Sequence, residues 1–257
     1  MTSDIGWGGL AGSIALVGVA VALSLWRRLS LERGLVWASA RALVQLLLVG
    51  VALGFVLRRN VAWSWAWVTA MVLFAADTLR RRAPEVPDMF RLALLAFTAA
   101  GIVTLLVLFG LRVFPLEPKT LIPLAGMMIG NSMTATVVVA RRVLEELRDK
   151  CDEVEARLAL GIAGPDAARP YVRAALRTAM IPQVETTKAV GLVFLPGAMT
   201  GLILAGVDPV AAVKIQIAVM YLVLGATATT TAVVGLGVQR RLLTADHRLI
   251  VPARTDS

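Results

Sequence analysis

The sequence predicts an all-α, polytopic membrane helix bundle of about seven transmembrane helices, with the N-terminus outside and the C-terminus in the cytoplasm. Three observations carry this prediction. Of the 257 residues, 58% are hydrophobic, against roughly 45–50% in a typical soluble domain. The apolar residues fall in blocks of about 17–25, the length that a helix needs to cross a bilayer. The arginines cluster at the ends of alternate blocks rather than along one stripe.

Each apolar block predicts one span. The seven predicted spans cover about 5–26, 35–57, 61–79, 92–114, 120–140, 189–206 and 211–238. The polar stretch at about 141–188 is predicted to be a cytoplasmic helical segment. Because no linker or internal repeat is visible, residues 1–257 are expected to form a single transmembrane domain. The first block predicts a retained span rather than a cleavable signal peptide, since Arg27 and Arg28 follow it instead of preceding it.

The loops set the predicted orientation. Those after spans one, three, five and seven are rich in arginine, and the intervening loops are poorer. An excess of Lys and Arg marks cytoplasmic loops. Arg58 and Arg59 oppose this assignment but are outnumbered. The same placement accounts for the net charge of +9 without nucleic acid, so no nucleic-acid partner is expected.

Sequence motifs for phosphate binding, for common catalytic sites and for histidine- or cysteine-rich metal sites do not occur in this chain. No G-x-x-x-x-G-K-[ST] phosphate loop occurs, so neither ATP binding nor another cofactor is expected in this chain. No H-E-x-x-H and no G-x-S-x-G motif occurs either, so catalytic residues are not predicted. Cys151 is the only cysteine and His247 the only histidine, which excludes an internal disulfide framework and a histidine-rich metal site.

The polar stretch begins with an amphipathic pattern that is expected to continue span five out of the membrane. Its apolar residues recur at steps of three and four: Val143, Leu147, Cys151, Val154 and Leu158. A break follows Gly161, and a second helix then carries Arg169, Arg173 and Arg177 on one face. Such a stripe is compatible with a solvated face, a contact with anionic lipid, or a docking surface for a partner.

Glu155, Ala156 and Gly161 have the spacing of the E-A-A-x-x-x-G loop of ABC-transporter permeases, in which a short cytoplasmic helix docks on the ATPase. The alternative is a solvated helix that packs on its neighbour. With the arginine stripe, these residues are the candidates for coupling to an ATPase.

Polar residues inside the predicted spans are candidates for a translocation pathway, because they are costly in hydrocarbon. Arg41 and Gln45 lie one turn apart in span two, where Arg41 either faces the bundle interior or snorkels to the cytoplasmic side. The remaining candidates are Met127, Asn131, Ser132 and Gln216. Two G-x-x-x-G pairs, Gly126 with Gly130 and Gly197 with Gly201, favour close helix packing. Which residues would hold a metal stays unknown.

Five stretches together resemble a known family. They are R-A-L-V-Q-L-L-L-V-G at 41–50, P-L-A-G-M-M-I-G-N-S-M at 123–133, L-A-L-G at 158–161, A-L-R-T-A-M-I-P at 175–182, and the run from K-A-V-G-L-V-F-L-P-G to V-K-I-Q-I at 188–217. They resemble the iron-export ABC transporter permease family (FetB-like), whose plant relatives are the aluminium-sensitivity permeases. The resemblance covers residues from about 35 to 240.

The resemblance implies a permease subunit in the bacterial inner membrane that exports iron or a metal-related solute. It implies a homodimer bound to a separate ATP-binding subunit. One alternative is a stand-alone secondary transporter or channel, for which the sequence offers only Asp77 and Asp208 as intramembrane acids. Another is a membrane scaffold or enzyme subunit without a transport role.

Overall fold

A computed structural model describes residues 7–57, 60–243 and 249–250. The all-α prediction is confirmed for these residues, whose only extended pairings are isolated bridges, Val190 with Phe194 and Leu243 with Leu249. The chain divides into two compact units, residues 1–59 and residues 60–257.

The first unit is a pair of helices, α1 (Trp7–Arg27) and α2 (Glu32–Val56). The turn between them is held by Ser24, whose hydroxyl donates to Glu32 Oε2 at 2.8 Å and accepts from the Leu31 N–H at 3.1 Å. The apolar side chains of α2 are exposed on this unit, as expected of a helix whose solvent is lipid.

The second unit contains the remaining described helices: α3 (Val61–Arg82), α4 (Met89–Gly110), α5 (Pro118–Asp149), α6 (Cys151–Ala159), α7 (Gly164–Ala189), α8 (Gly197–Leu204) and α9 (Pro209–Leu242). α9 packs against α4, α5 and α7, and α3 packs against α4 and α5. The core between them is built from small and aliphatic residues, with Phe97, Leu79 and Met128 among its largest buried side chains.

Two glycines of α9 permit close contact between this helix and its neighbours α4 and α7. A Cβ at Gly237 would overlap Leu92 Cδ1 of α4, and a Cβ at Gly235 would lie 2.9 Å from Leu176 Cδ2 of α7. The predicted G-x-x-x-G pairs behave differently. Only Gly126 is close to a neighbour, with its Cβ position 3.2 Å from Met71 Cε, whereas Gly130, Gly197 and Gly201 have no atom within 4 Å.

Five described helices, α2, α3, α4, α5 and α9, are long and apolar enough to cross a membrane. They coincide with predicted spans two, three, four, five and seven. The described apolar part of α1 is shorter, Ile14–Arg27. The expected continuation of span five is confirmed as far as Asp149, where α5 ends, and the rest of the predicted amphipathic pattern lies on the separate helix α6. The predicted restart after Gly161 is confirmed as well, because Gly161 has φ +83° and α7 begins at Gly164.

The prediction of one continuous sixth span over 189–206 is wrong. Only α8, with eight residues, is helical there, and at about 1.5 Å per residue it covers about 12 Å. The interruption before it contains Gly191, at φ +84°, and Pro196, which caps the N-terminus of α8. Hydropathy registers the apolar side chains of this stretch but not the backbone conformation that these two residues favour.

One end of the second unit is cationic. Arg141 Nε of α5 donates to the carbonyl oxygen of Arg82 at the end of α3, at 2.8 Å. Gln239 Nε2 of α9 donates to the Pro165 carbonyl oxygen at the start of α7, at 2.7 Å. Since Leu92 next to Arg91 lies against Gly237, the arginine-bearing ends of α3, α4, α5 and α9 meet at the same level.

Candidate functional site

The cationic end carries a compact polar cluster on α6 and α7. Lys150 Nζ lies 2.7 Å from Glu153 Oε1, and the Tyr171 hydroxyl donates to Glu153 Oε2 at 2.8 Å. The Arg157 guanidinium lies over the Tyr171 ring, 5.7 Å from its centroid. Hydrogen bonds from Lys150 first and from Tyr171 second lower the pKa of the Glu153 carboxyl. These contacts fix α6 against the first half of α7.

The E-A-A-x-x-x-G candidates lie next to this cluster on the exposed surface of α6 and of the turn after it. Glu155 and Ala156 are exposed on α6, and Gly161 is exposed in the turn after it. A left-handed φ is readily adopted only by glycine, so Gly161 is the residue that lets the chain reverse between α6 and α7. The Cys151 thiol contacts Glu155 Oε1 at 3.7 Å. Burial, and then the charge of Glu155, raise the pKa of this thiol.

The predicted arginine stripe forms one exposed face of α7. Arg169, Arg173 and Arg177 line a shallow depression of about 490 Å³ together with Asp166 and Pro170. Asp166 Oδ1 lies 3.5 Å from Arg169 Nη1, and both side chains are well exposed. The opposite face of α7 is buried against α5 and α9. The structure therefore brings the predicted coupling residues to the same end of the bundle.

One further ion pair at this end joins α5 to the connection between α3 and α4. Arg148, in the last turn of α5, lies 2.8 Å from Glu85 in the connection between α3 and α4, and both side chains are half-buried. This ion pair links the extension of α5 to the rest of the bundle, and the sequence analysis did not identify it. The two residues are far apart in the sequence and carry no motif.

The pathway candidates of α5 are not brought together. Ser132 is buried and donates to the Met128 carbonyl oxygen at 2.6 Å, whereas Asn131 is exposed and donates to the Met127 carbonyl oxygen at 2.8 Å. The expectation that Asn131 lines a pathway stays a prediction, since its hydrogen bond among the described residues is within its own helix. Met127 is partly buried against the core.

A buried hydroxyl seam that the sequence analysis missed lies between α5 and α9. The hydroxyls of Thr136 and Thr230 are 3.0 Å apart. On α9, Thr227 and Thr231 donate to carbonyl oxygens one turn earlier. The Thr136–Thr230 pair joins α5 and α9 by an interhelical polar contact of the kind that stabilises membrane bundles.

The two pathway candidates of α2 lie in the other unit. Arg41 and Gln45 are both exposed on the surface of that unit. The two alternatives for Arg41, facing the bundle interior or snorkelling to the cytoplasmic side, both stay predictions.

Gln216 of α9 is the buried polar candidate. Its side chain is 5% exposed, and its Oε1 has no hydrogen-bond partner among the described residues. It lines a cavity of about 440 Å³ between the end of α7, α8 and α9, beside Thr187, Met199 and Met220.

The acidic residues considered for ion coupling have structural roles. Asp77 pairs with Arg80 and Arg81, at 2.8 and 2.7 Å. Asp208 caps α9 by accepting the Ala211 N–H at 3.0 Å. Within the part of the chain that the structure describes, no three His, Cys, Asp or Glu side chains form a group that could hold a metal ion. His247 lies outside the described residues.

The apolar helices and their buried polar seam define a multi-pass helical membrane protein. Residues 7–243 match the family described as an uncharacterised protein family, UPF0014. The chain belongs to the UPF0014 family, and the match covers both units of the fold.

Three relatives extend this finding. The UPF0014 membrane protein STAR2 of Oryza sativa subsp. japonica is 40% identical over 84% of this chain and 76% of its own length. Protein ALUMINUM SENSITIVE 3 of Arabidopsis thaliana is 36% identical over 86% and 81%. The probable iron export permease protein FetB of Escherichia coli (strain K12) is 33% identical over 94% of both chains. The predicted resemblance is confirmed. No solved structure matches the chain.

Proposed function

We propose that this chain is the permease subunit of an ABC transporter that exports iron or a metal-related solute across a bacterial inner membrane. ATP would be bound and hydrolysed by a separate subunit. The observation that carries the proposal is the exposed α6–α7 surface at the cationic end, formed by Glu155, Ala156, Gly161 and the arginine stripe. The Escherichia coli relative, similar over 94% of both chains, is named as a probable iron export permease.

The proposed mechanism uses two permease copies and two ATPase copies. Closure of the ATPase dimer on ATP would push on α6, which is fixed to α7 through the hydrogen bond between Glu153 and Tyr171. α5 would carry the same motion, because it continues from Asp149 into the apolar bundle without a break. The cationic end would face the cytoplasm, since an excess of arginine marks cytoplasmic loops. In this scheme ATP hydrolysis drives alternating access of the spans.

The second candidate, a stand-alone secondary transporter or channel, has less support. Coupling to a proton or sodium gradient needs acidic groups that are free to titrate or bind inside the membrane. Asp77 is engaged by two arginines, and Asp208 serves as a helix cap. Neither carboxylate is available without breaking a contact that stabilises the fold.

Substitutions at the docking surface test the proposal. Glu155→Lys reverses a charge at the predicted contact, and Ala156→Trp places a bulky side chain beside it on the exposed face of α6. Both variants are expected to fold and insert, but to lose most of the coupling between ATP hydrolysis and iron efflux in vesicles that contain the complete complex. Glu117→Lys is the matched control, because Glu117 is an exposed carboxylate at the opposite end of α5. Efflux at the wild-type level in both docking variants would contradict the proposal.

A further inference from the structure

Helix α7, helix α8 and the non-helical residues 190–196 between them pack beside α9, and we call this segment the arm. Gln239 contacts Pro165, a Cβ at Gly235 would touch Leu176, and the Thr231 hydroxyl lies 3.4 Å from Met180 Sδ. As residue numbers rise along α7 they fall along α9, so the two helices run antiparallel. α7 therefore starts at the cationic end and leads away from it, along the whole second half of α9.

The interruption of this arm lies at hydrocarbon depth. Residues 215–239 of α9 carry no charged side chain, and at about 1.5 Å per residue they span the roughly 30 Å of a bilayer core. Thr187 and Gly191 line the same cavity as Gln216 and Met220, which belong to this charge-free stretch. The end of α7 and the non-helical residues 190–196 are thus level with the apolar part of α9.

Polar groups at this depth need a partner other than lipid. Glu185 and Lys188 form an exposed ion pair at 2.8 Å in the last turns of α7, on either side of Thr187. Charged side chains inside membranes face the protein interior or a water-filled space. Non-helical backbone at this depth is likewise tolerated only where it is buried in protein or lines a cavity. Water on this side of the arm would satisfy both requirements.

The cavity at the interruption contains one unsatisfied acceptor. Gln216 Oε1 is buried without a hydrogen-bond partner among the described residues, and leaving a buried acceptor unpaired is costly. A water molecule or a solute that donates a hydrogen bond removes this cost. The Thr187 hydroxyl and the Met199 and Met220 thioethers complete the lining.

We infer that the cavity between the end of α7, α8 and α9 is a hydrated solute site, in which Gln216 accepts a hydrogen bond from the transported species. The species is a polar solute that donates hydrogen bonds, a class that includes hydrated cations. The inference deepens the proposed transport function, on which it rests, by assigning the position of its solute site.

Thiol accessibility tests this site without ATP, a partner or the transported solute. In a Cys151→Ser background, Thr187→Cys and Met199→Cys each place a thiol on the cavity wall. The control is Val103→Cys on α4, which is exposed on the chain surface next to Thr104, itself level with Gly225 of α9. Proteoliposomes are treated with a charged methanethiosulfonate. It reacts with the thiolate, which forms in water and not in lipid.

Both cavity thiols are expected to react at least tenfold faster than the Val103→Cys thiol. Adding Gln216→Leu should slow the reaction at Thr187→Cys by severalfold, because the polar anchor for water is lost, whereas Gln216→Asn should preserve it. Cavity thiols that react as slowly as the control would overturn the inference, and so would an unchanged rate with Gln216→Leu. Such a failure is distinguishable from failure of the ABC assignment, which would appear as intact efflux in the docking variants while the cavity thiols still react.

Discussion

At the scale of the residue, Glu153 joins three segments of the polar end. It accepts hydrogen bonds from Lys150, in the break between α5 and α6, and from Tyr171 of α7. The pKa of the Glu153 carboxyl is lowered from 4.5 by these two bonds. Its stabilising contribution is therefore present above the pKa of the unfolded chain and is lost as the pH falls through the lower pKa of the folded protein.

This gives a prediction about pH. Wild type is expected to melt at a higher temperature than Glu153→Gln near neutral pH, because the charged carboxylate makes the stronger hydrogen bonds. The difference should be constant from pH 8 to about 5.5 and should shrink as the pH falls below about 4.5, the usual range for a glutamate. Thermal denaturation of both proteins in one detergent measures it. A gap that persists unchanged at the lowest pH would show that Glu153 acts by something other than its charge.

Sequence patterns correctly predicted part of the structure at the cationic end of the second unit. The i, i+4 spacing placed Arg169, Arg173 and Arg177 on one exposed face, because helical periodicity alone decides which residues share a face. The Arg148–Glu85 contact and the Tyr171–Glu153 hydrogen bond had no such signal. They depend on how separate helices are docked, and a local pattern does not contain that information.

At the scale of the element, the glycines show where helix packing departs from sequence motifs. Gly126 with Gly130 and Gly197 with Gly201 match the membrane packing motif, yet three of the four have no neighbour within 4 Å. The closest approach occurs instead at Gly235 and Gly237, which have no such spacing. A motif identifies helices that are able to approach closely, but the tertiary fold decides which face is covered.

Gly237 is therefore expected to be intolerant of larger side chains. Gly237→Val would drive a side chain into Leu92, which is 4% exposed and has little room to move. Overpacking of this kind costs about 1–3 kcal/mol. Gly201→Val is the matched control, since it makes the same change in a helix where no atom lies within 4 Å. Melting temperature in detergent should fall for Gly237→Val and stay near wild type for Gly201→Val. Equal melting temperatures would contradict the proposed packing of α4 on α9.

The incorrect prediction of the sixth span shows a second limit, that of hydropathy as a signal for membrane spans. The helices of spans two to five and seven were predicted correctly, because in each of them a long apolar stretch coincides with a long helix. The arm of α7 and α8 carries Gln183, Glu185 and Lys188 in one half and a Gly–Pro interruption in the other. Its polar half was therefore predicted as cytoplasmic, and its apolar half as a complete span. Helices that carry polar groups for function are where hydropathy is least informative.

At the scale of the whole molecule, the second unit is a helix bundle with one cationic end. The arginines at the ends of α3, α5 and α9 lie at this end, as does the proposed docking surface of α6 and α7. The cytoplasmic location of this end and the external N-terminus remain predictions of the positive-inside rule. The single-domain organisation and the homodimer remain proposals as well.

The central claim is that a separate ATPase binds the α6–α7 surface. The most direct test is to solubilise the tagged protein from its native membrane in a mild detergent, purify it by its tag, and identify what is retained by mass spectrometry. The account predicts an ATP-binding subunit with a phosphate loop, in near one-to-one ratio with the permease, and its loss from the Glu155→Lys variant but not from Glu117→Lys. Recovery of the permease alone, under conditions that keep a known ABC complex intact, would contradict the account.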